Sequence, residues 1–173
     1  MGSSPAGSWF TQRVVVGVGD LAVSNNGHAI LSTYALGSCV GVAAYDPVPK
    51  VGGILHLMLP DSQISPAKAS AQPAMFADTG LRQFFQQFSV FGAKAARLRL
   101  FVAGGASVIC GQDPFRIGAR NAAATLEILA AHGLSPGHSD LGGSFNRTIH
   151  LDIATGGLNL KTPHGEHRIE LGE

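Results

Sequence analysis

Cys39 and His56 are the residues whose types could do chemistry together. They sit in neighbouring apolar runs, Leu36-Gly37-Ser38-Cys39-Val40-Gly41-Val42 and Gly52-Gly53-Ile54-Leu55-His56-Leu57-Met58-Leu59-Pro60. A free thiol titrates near ~8.5, so at neutral pH it needs a base beside it to become a strong nucleophile. An imidazole can be that base. Between the runs, Asp46-Pro47-Val48-Pro49 is a dense turn signal, and a hairpin turning there with Tyr45 opposite Lys50 sets Cys39 directly across from His56. Facing residues in an antiparallel pair hold their Cβ atoms about 4.5–5.5 Å apart, close enough for thiol and imidazole to meet. Alternation then groups Cys39, Gly41 and Ala43 with Ile54, His56 and Met58, where the small residues leave room for a substrate. The opposite face, Val40, Val42, Ala44, Leu55, Leu57 and Leu59, is uniformly apolar and reads as core. The pair also fits a packing role, since unpaired cysteine is among the most buried residue types and a lone histidine in an apolar strand is often a hydrogen-bonded core residue. Spacing alone leaves both readings open.

Thr33-Tyr34-Ala35-Leu36-Gly37-Ser38-Cys39-Val40-Gly41-Val42, then Tyr45-Asp46-Pro47 and Gly52-Gly53-Ile54-Leu55-His56-Leu57-Met58-Leu59-Pro60, closely resemble the CheD family of chemoreceptor glutamine deamidases. Val16-Gly17-Val18-Gly19-Asp20 fits that family's opening strand. Gly104-Gly105-Ala106, Ile117-Gly118-Ala119-Arg120-Asn121 and Asp140-Leu141-Gly142-Gly143 follow in the family's order, so the resemblance spans residues 13–161. This chain departs from the pattern at Phe101 and Ala103, where the family commonly has Lys-x-Phe, and at Asn146, where a glycine often precedes Arg147. Asparagine is the best non-glycine substitute at positive φ, so the turn at Asn146 is expected to survive.

The resemblance implies Cys39 as nucleophile, His56 as general base and then acid, and Thr33 as the third member, orienting the imidazole through its hydroxyl. It implies hydrolysis of glutamine side chains in the cytoplasmic helices of chemoreceptors, by way of a thioester. Backbone N–H groups around Ser38 and Cys39 are oxyanion candidates, with Gly37 allowing a tight turn before them. The dyad itself fixes acyl transfer from an amide, which proteases and transglutaminases share. A second function class is a non-catalytic chemotaxis adaptor that binds receptors and the CheC phosphatase, also implied by the resemblance. The joint presence of Thr33, Cys39 and His56 favours the enzyme, because an adaptor has no chemical need of them. No cofactor or metal is called for: His164 and His167 are a pair without further ligands, and no phosphate-loop motif accompanies the 23 glycines.

Composition fits this reading. The 173 residues can bury one core; hydrophobic residues make up 45% and charged residues only 13%, which hints at surface covered by partners. Net charge is +1 with the basic residues scattered, so a nucleic-acid footprint is absent. No apolar run reaches the ~18 residues of a membrane span, and residues 1–8 lack the pattern of a signal peptide. The expected location is the cytoplasm, without direct membrane insertion.

Along the chain, residues 1–12 read as a flexible lead, 13–161 as the domain and 162–173 as a tail. Residues 13–18 read as a buried strand and Ser24-Asn25-Asn26-Gly27 as a hairpin turn. Residues 30–33, 40–45 and 53–59 read as strands, and 61–72 as a loop that could wall the site. Residues 74–88 show a helical stripe of Leu81, Phe84, Phe85 and Phe88. Residues 97–103 read as a strand, and 121–132 as a helix capped by Asn121 and stopped by Gly133. Residues 147–153 and 158–161 form a last hairpin, and Cys110 reads as core. The elements suggest an α+β class: a layered α/β sandwich in which helices pack on a mixed, largely antiparallel sheet. The resemblance implies the same fold, shared with glutamine-deamidating toxins.

Overall fold

The computed structural model describes residues 10–109 and 111–173. Residues 1–9 of the expected lead, and Cys110, lie outside the described residues. The chain runs β1 (Gln12–Val15), β2 (Asp20–Ser24), β3 (Ala29–Leu36), β4 (Val40–Asp46), β5 (Val51–Leu57), α1 (Pro66–Ala71), α2 (Ala77–Val90), β6 (Arg99–Gly104), α3 (Ile117–Ala131), β7 (His138–Leu141), β8 (Arg147–Asp152), β9 (Gly157–Thr162) and β10 (Gly165–Glu170).

The α+β sandwich holds, but its strands form two mixed sheets, ordered β1-β3-β8-β9-β10 and β2-β5-β4-β6-β7. The second sheet is the middle layer. Its Val40, Val42, Ala44, Leu55 and Leu57 face Leu81, Phe84 and Phe88 of α2 and Leu129 of α3. Each of these buried Val, Leu and Phe side chains contributes about 1.5–3 kcal/mol relative to exposure. Its other face, with Ala43, Ile54, Phe101 and Ala103, packs on Leu31, Ile149, Leu151, Leu158 and Leu160 of the first sheet. Phe101 and Ala103, the departures from the family pattern, are thus inter-sheet core.

The β4–β5 hairpin forms with a register different from that expected. Gly41, not Cys39, stands opposite His56, and Tyr45 stands opposite Gly52. Asp46 remains in the strand because its buried carboxylate accepts from Val48 N (3.1 Å) and Lys94 N (2.9 Å) and pairs with Arg97. Lys50 then closes the turn at φ 52°. The slip is of two residues, so every side chain keeps its predicted face.

Other elements differ for equally local reasons. Residues 24–27 are not a hairpin turn: β2 and β3 belong to different sheets, and the turn carries the chain between them. β1 is a largely exposed edge strand parallel to β3; its half-buried Val14 packs against the core, and Val16 just beyond it enters the core. The expected loop after Pro60 contains a 3-10 turn at Ser62–Ile64 and the short helix α1. Asn121 lies inside α3 rather than capping it, whereas Gly133 at φ 71° ends α3 with Leu134 N bonding Leu129 O at 2.9 Å. Asn146 is not among the positive-φ residues. Residues 165–170 form β10 along β9, and Leu171 enters the core. Among the described residues, no helix is long and apolar enough to cross a membrane.

Candidate active site

Thr33 and His56 meet between the sheets. Thr33 points inward from β3, His56 inward from β5, and Thr33 Oγ1 lies 2.7 Å from His56 Nδ1. Both are essentially buried, at 0% and 1% exposure. Thr33 Oγ1 also donates to Val16 O at 2.7 Å. A hydroxyl has one proton, and a carbonyl can only accept, so the proton goes to Val16 and Oγ1 must accept from His56 Nδ1–H. Val16 therefore fixes the tautomer through Thr33, leaving the lone pair on Nε2. That atom is buried and has no hydrogen-bond partner among the described residues. His56 is further braced by Gly19 N, which donates to its carbonyl at 2.8 Å, and Gly19 O in turn accepts from Gln72 Nε2 at 2.8 Å. Gln72, at the end of the segment expected to wall the site, thus supports the histidine strand from behind.

Cys39 occupies the connection from β3 to β4, which crosses from one sheet to the other. A bulge between Thr33 and Leu36 and a left-handed Ala35 (φ 56°) redirect the chain. Positive φ is therefore at Ala35, not at Gly37, the glycine expected to supply the turn. Gly37 is needed for space, because a Cβ there would stand 2.7 Å from Asn146 Oδ1. The carbonyls of Gly37, Ser38 and Cys39 are all held: by Ala106 N (2.8 Å), Asn121 Nδ2 (2.9 Å) and Gly105 N (2.9 Å). Gly104 is obligatory beneath them, since at φ 111° its Cβ would overlap Cys39 O.

The register makes Cys39 a diagonal neighbour of His56 on the inter-sheet face. Diagonal Cβ atoms lie about 7–8 Å apart or somewhat less, a span that side chains cover only in part. The room expected beside the thiol at Gly41 is occupied: a Cβ there would meet Leu36 Cδ1 at 2.7 Å. On the loop side of Cys39, Met58 and Val108 are exposed.

The electrostatics define the ground state. Burial pushes the half-buried Cys39 thiol above its ordinary value, with its own backbone N–H pulling the other way. Burial drives His56 down to about 4. At neutral pH the pair is a protonated thiol and a neutral imidazole with its Nε2 lone pair free, suited to proton transfer during attack rather than to a standing ion pair.

Sequence reasoning missed the surrounding brace. Arg147, 2% exposed, donates to Gly142 O at 2.7 Å, pairs with Asp140 at 2.9 Å and lies 4.3 Å from the centre of the Phe145 ring. The segment it organises returns to the Cys39 side, Gly142 N donating to Gly104 O and Ser107 N to Gly143 O, each at 2.9 Å. The available signal was an arginine at an inward position of an alternating strand.

A family model described as CheD chemotactic sensory transduction matches residues 58–162, beginning just past His56. The protein named probable chemoreceptor glutamine deamidase CheD 1, from Syntrophus aciditrophicus (strain SB), is 43% identical over 155 residues, covering 90% of this chain and 97% of that protein. A probable chemoreceptor glutamine deamidase CheD from Solibacter usitatus (strain Ellin6076) is 43% identical over 150 residues, covering 87% and 89%. Among solved structures, the hypothetical protein YfiH of Bacillus licheniformis aligns at TM-score 0.45 and 13% identity, over 79% of this chain and 60% of that one.

Proposed function

The chain belongs to the CheD family, and from that premise we propose that it is a chemoreceptor glutamine deamidase using Cys39 and His56. Relatives at about two-fifths identity over most of the chain carry that name. The observation that carries the mechanism is the Val16–Thr33–His56 chain of hydrogen bonds, which presents a neutral Nε2 on the face that Cys39 shares.

Cys39 Sγ attacks the side-chain amide carbon of glutamine as His56 Nε2 takes the thiol proton. The imidazolium is stabilised through Nδ1–H by Thr33. It then returns the proton to the amide nitrogen, and ammonia leaves as the carbonyl re-forms in a thioester. Water attacks the thioester, His56 accepts its proton and protonates the departing sulfur, and glutamate is released. The balance is glutamine plus water to glutamate plus ammonia. Backbone N–H groups at Ser38 and Cys39 are the oxyanion donors, on a loop whose carbonyls are already engaged elsewhere. The substrate lies in a receptor's cytoplasmic helices, and the reaction runs in the cytoplasm. Binding of CheC is a separate role that needs no chemistry.

The test is peptide mass spectrometry of receptor cytoplasmic fragments incubated with wild-type protein or with Cys39→Ala. Amide-to-acid conversion at defined glutamines, dependent on Cys39 and accompanied by ammonia, supports the reading. Binding of receptor or CheC with no conversion moves the chain to the adaptor class; an amine adduct or a cut chain moves it to another acyl transfer.

A further inference from the structure

We propose that Asn121 is a positioning residue for this reaction, its side-chain amide fixing the Cys39 loop relative to the chain that leaves His56; this rests on the deamidase reading above. Asn121 projects from the second turn of α3 and is 0% exposed. Its Nδ2 donates to Ser38 O and to Met58 O, both at 2.9 Å. Ser38 immediately precedes the nucleophile, and Met58 follows His56 by two residues. One amide group therefore joins both halves of the site, which β4 and β5 alone hold only as diagonal neighbours.

The orientation of the amide is settled by chemistry. Both neighbours are carbonyl oxygens, so only the NH2 group can face them, and both of its protons are used. Oδ1 is then left buried with no hydrogen-bond partner among the described residues. A side chain serving only helix stability has no reason to carry such an unsatisfied acceptor. α3 is also brought unusually close to the nucleophile side: a Cβ on Gly118 would overlap Ala106 O, and Ala106 N is the donor to Gly37 O. Gly118 admits the helix, and Asn121, three residues on and on the same face, makes the bridge.

The consequence is geometric. The thiol and Nε2 have to reach one another during attack, and small misplacement at this stage is costly in rate. Without the amide, Ser38 O and Met58 O are two unpaired carbonyls that separate, widening the gap between Sγ and Nε2. Asn121 touches neither substrate nor reacting atoms, so its effect falls on the chemical step rather than on binding.

The experiment compares wild type, Asn121→Ala, the near-isosteric Asn121→Asp, and Thr125→Ala. The last removes the buried bond from Thr125 Oγ1 to Asn121 O (2.8 Å) without touching the bridge. Two readouts are taken well below each variant's unfolding temperature: the kcat–KM split on receptor fragments, and the pH profile of Cys39 alkylation by iodoacetamide, followed on the Cys39 peptide so that Cys110 does not contribute. Asn121→Ala and Asn121→Asp are expected to lower kcat by about 10–100-fold with KM within about twofold, and to move the alkylation profile toward that of His56→Ala. Thr125→Ala should lower the unfolding temperature and leave both readouts unchanged. An Asn121 variant that folds and keeps the wild-type profile overturns the proposal, as does a profile shift of equal size in Thr125→Ala. If Asn121→Ala does not fold, Asn121→Asp decides by the same criteria. Should wild type convert no glutamine, the deamidase reading fails, and the alkylation comparison still decides whether Asn121 couples the two halves.

Discussion

The two halves of the site are held by different means. His56 sits inside the sandwich, its ring fixed by a side-chain hydrogen bond to Thr33 from the opposite sheet and its tautomer by Val16. Cys39 sits on a crossing loop held through its own backbone carbonyl and those of the two residues before it, tied to the residues just after β6 and to α3. The proposed base is buried and its pKa lowered by that burial; the proposed nucleophile is half-buried on a loop fixed through backbone carbonyls. Changes on the histidine side should therefore alter proton transfer and stability together, whereas changes at Cys39 should alter chemistry with little effect on the fold.

The sharpest test of that division is Cys39→Ala. Among the described residues the thiol bonds no other side chain, so turnover should vanish while stability changes by about 1 kcal/mol or less. A folded Cys39→Ala protein that still converted glutamine would falsify the thioester route. His56→Ala comes next. Removing the proposed general base should lower kcat by about 10²–10⁴-fold and slow Cys39 alkylation at neutral pH. It should also destabilise, because Thr33 loses its donor and a cavity opens between the sheets. An activity loss with alkylation as fast as in wild type would assign His56 to some role other than activating the thiol.

Thr33→Val separates orientation from packing. Valine fills the same volume but supplies no acceptor, so His56 Nδ1–H and Val16 O are both left buried and unpaired, at a cost of about 1–3 kcal/mol. The free ring can then exchange tautomers, and kcat should fall by about 10–100-fold with KM little changed. Thr33→Ser keeps the hydroxyl and should recover most of the rate. Equal rates for Val and Ser would remove Thr33 from the site.

The legible part of this molecule was what repeats with period two and what stands at turns. Alternation in residues 40–45 and 53–59 gave the two faces correctly, and the faces survived even though the pairing slipped by two, because parity is preserved. The slip itself was hidden: it depends on Asp46 staying in the strand through contacts to Lys94 and Arg97, residues about fifty positions away. The division into two sheets was equally hidden, since Ser24-Asn25-Asn26-Gly27 has hairpin composition whichever sheet its next strand joins. Within the site, Thr33 could be named only through family resemblance; its contact to His56 crosses between sheets, and strand order is not written in local pattern. Asn121 was visible as part of a motif but read as a cap, because asparagine near a helix start ordinarily is one.

The smallest effect concerns pH and tests whether burial of a neutral imidazole really distinguishes the histidine half. His56 titrates at about 4 in the folded protein against an ordinary 6.5. Between these values the unfolded chain binds a proton that the folded one refuses, so stability rises with pH across this window. The contribution is fully present above about pH 6.5 and is lost as pH falls toward 4, amounting to about 3 kcal/mol at most. His150 is also lowered, mainly by burial and then by Arg13 and Lys161, and acts in the same direction, so wild type alone cannot isolate His56. Denaturant unfolding of wild type and His56→Ala at pH 7 and pH 4.5 does. Wild type should lose more stability than the variant between these conditions, and Cys39→Ala should follow wild type. If wild type and His56→Ala lose stability in parallel, His56 titrates in the folded protein as it does in the unfolded chain, near its ordinary value. Burial would then not tune the imidazole, and the contrast between the two halves would fail at its first half.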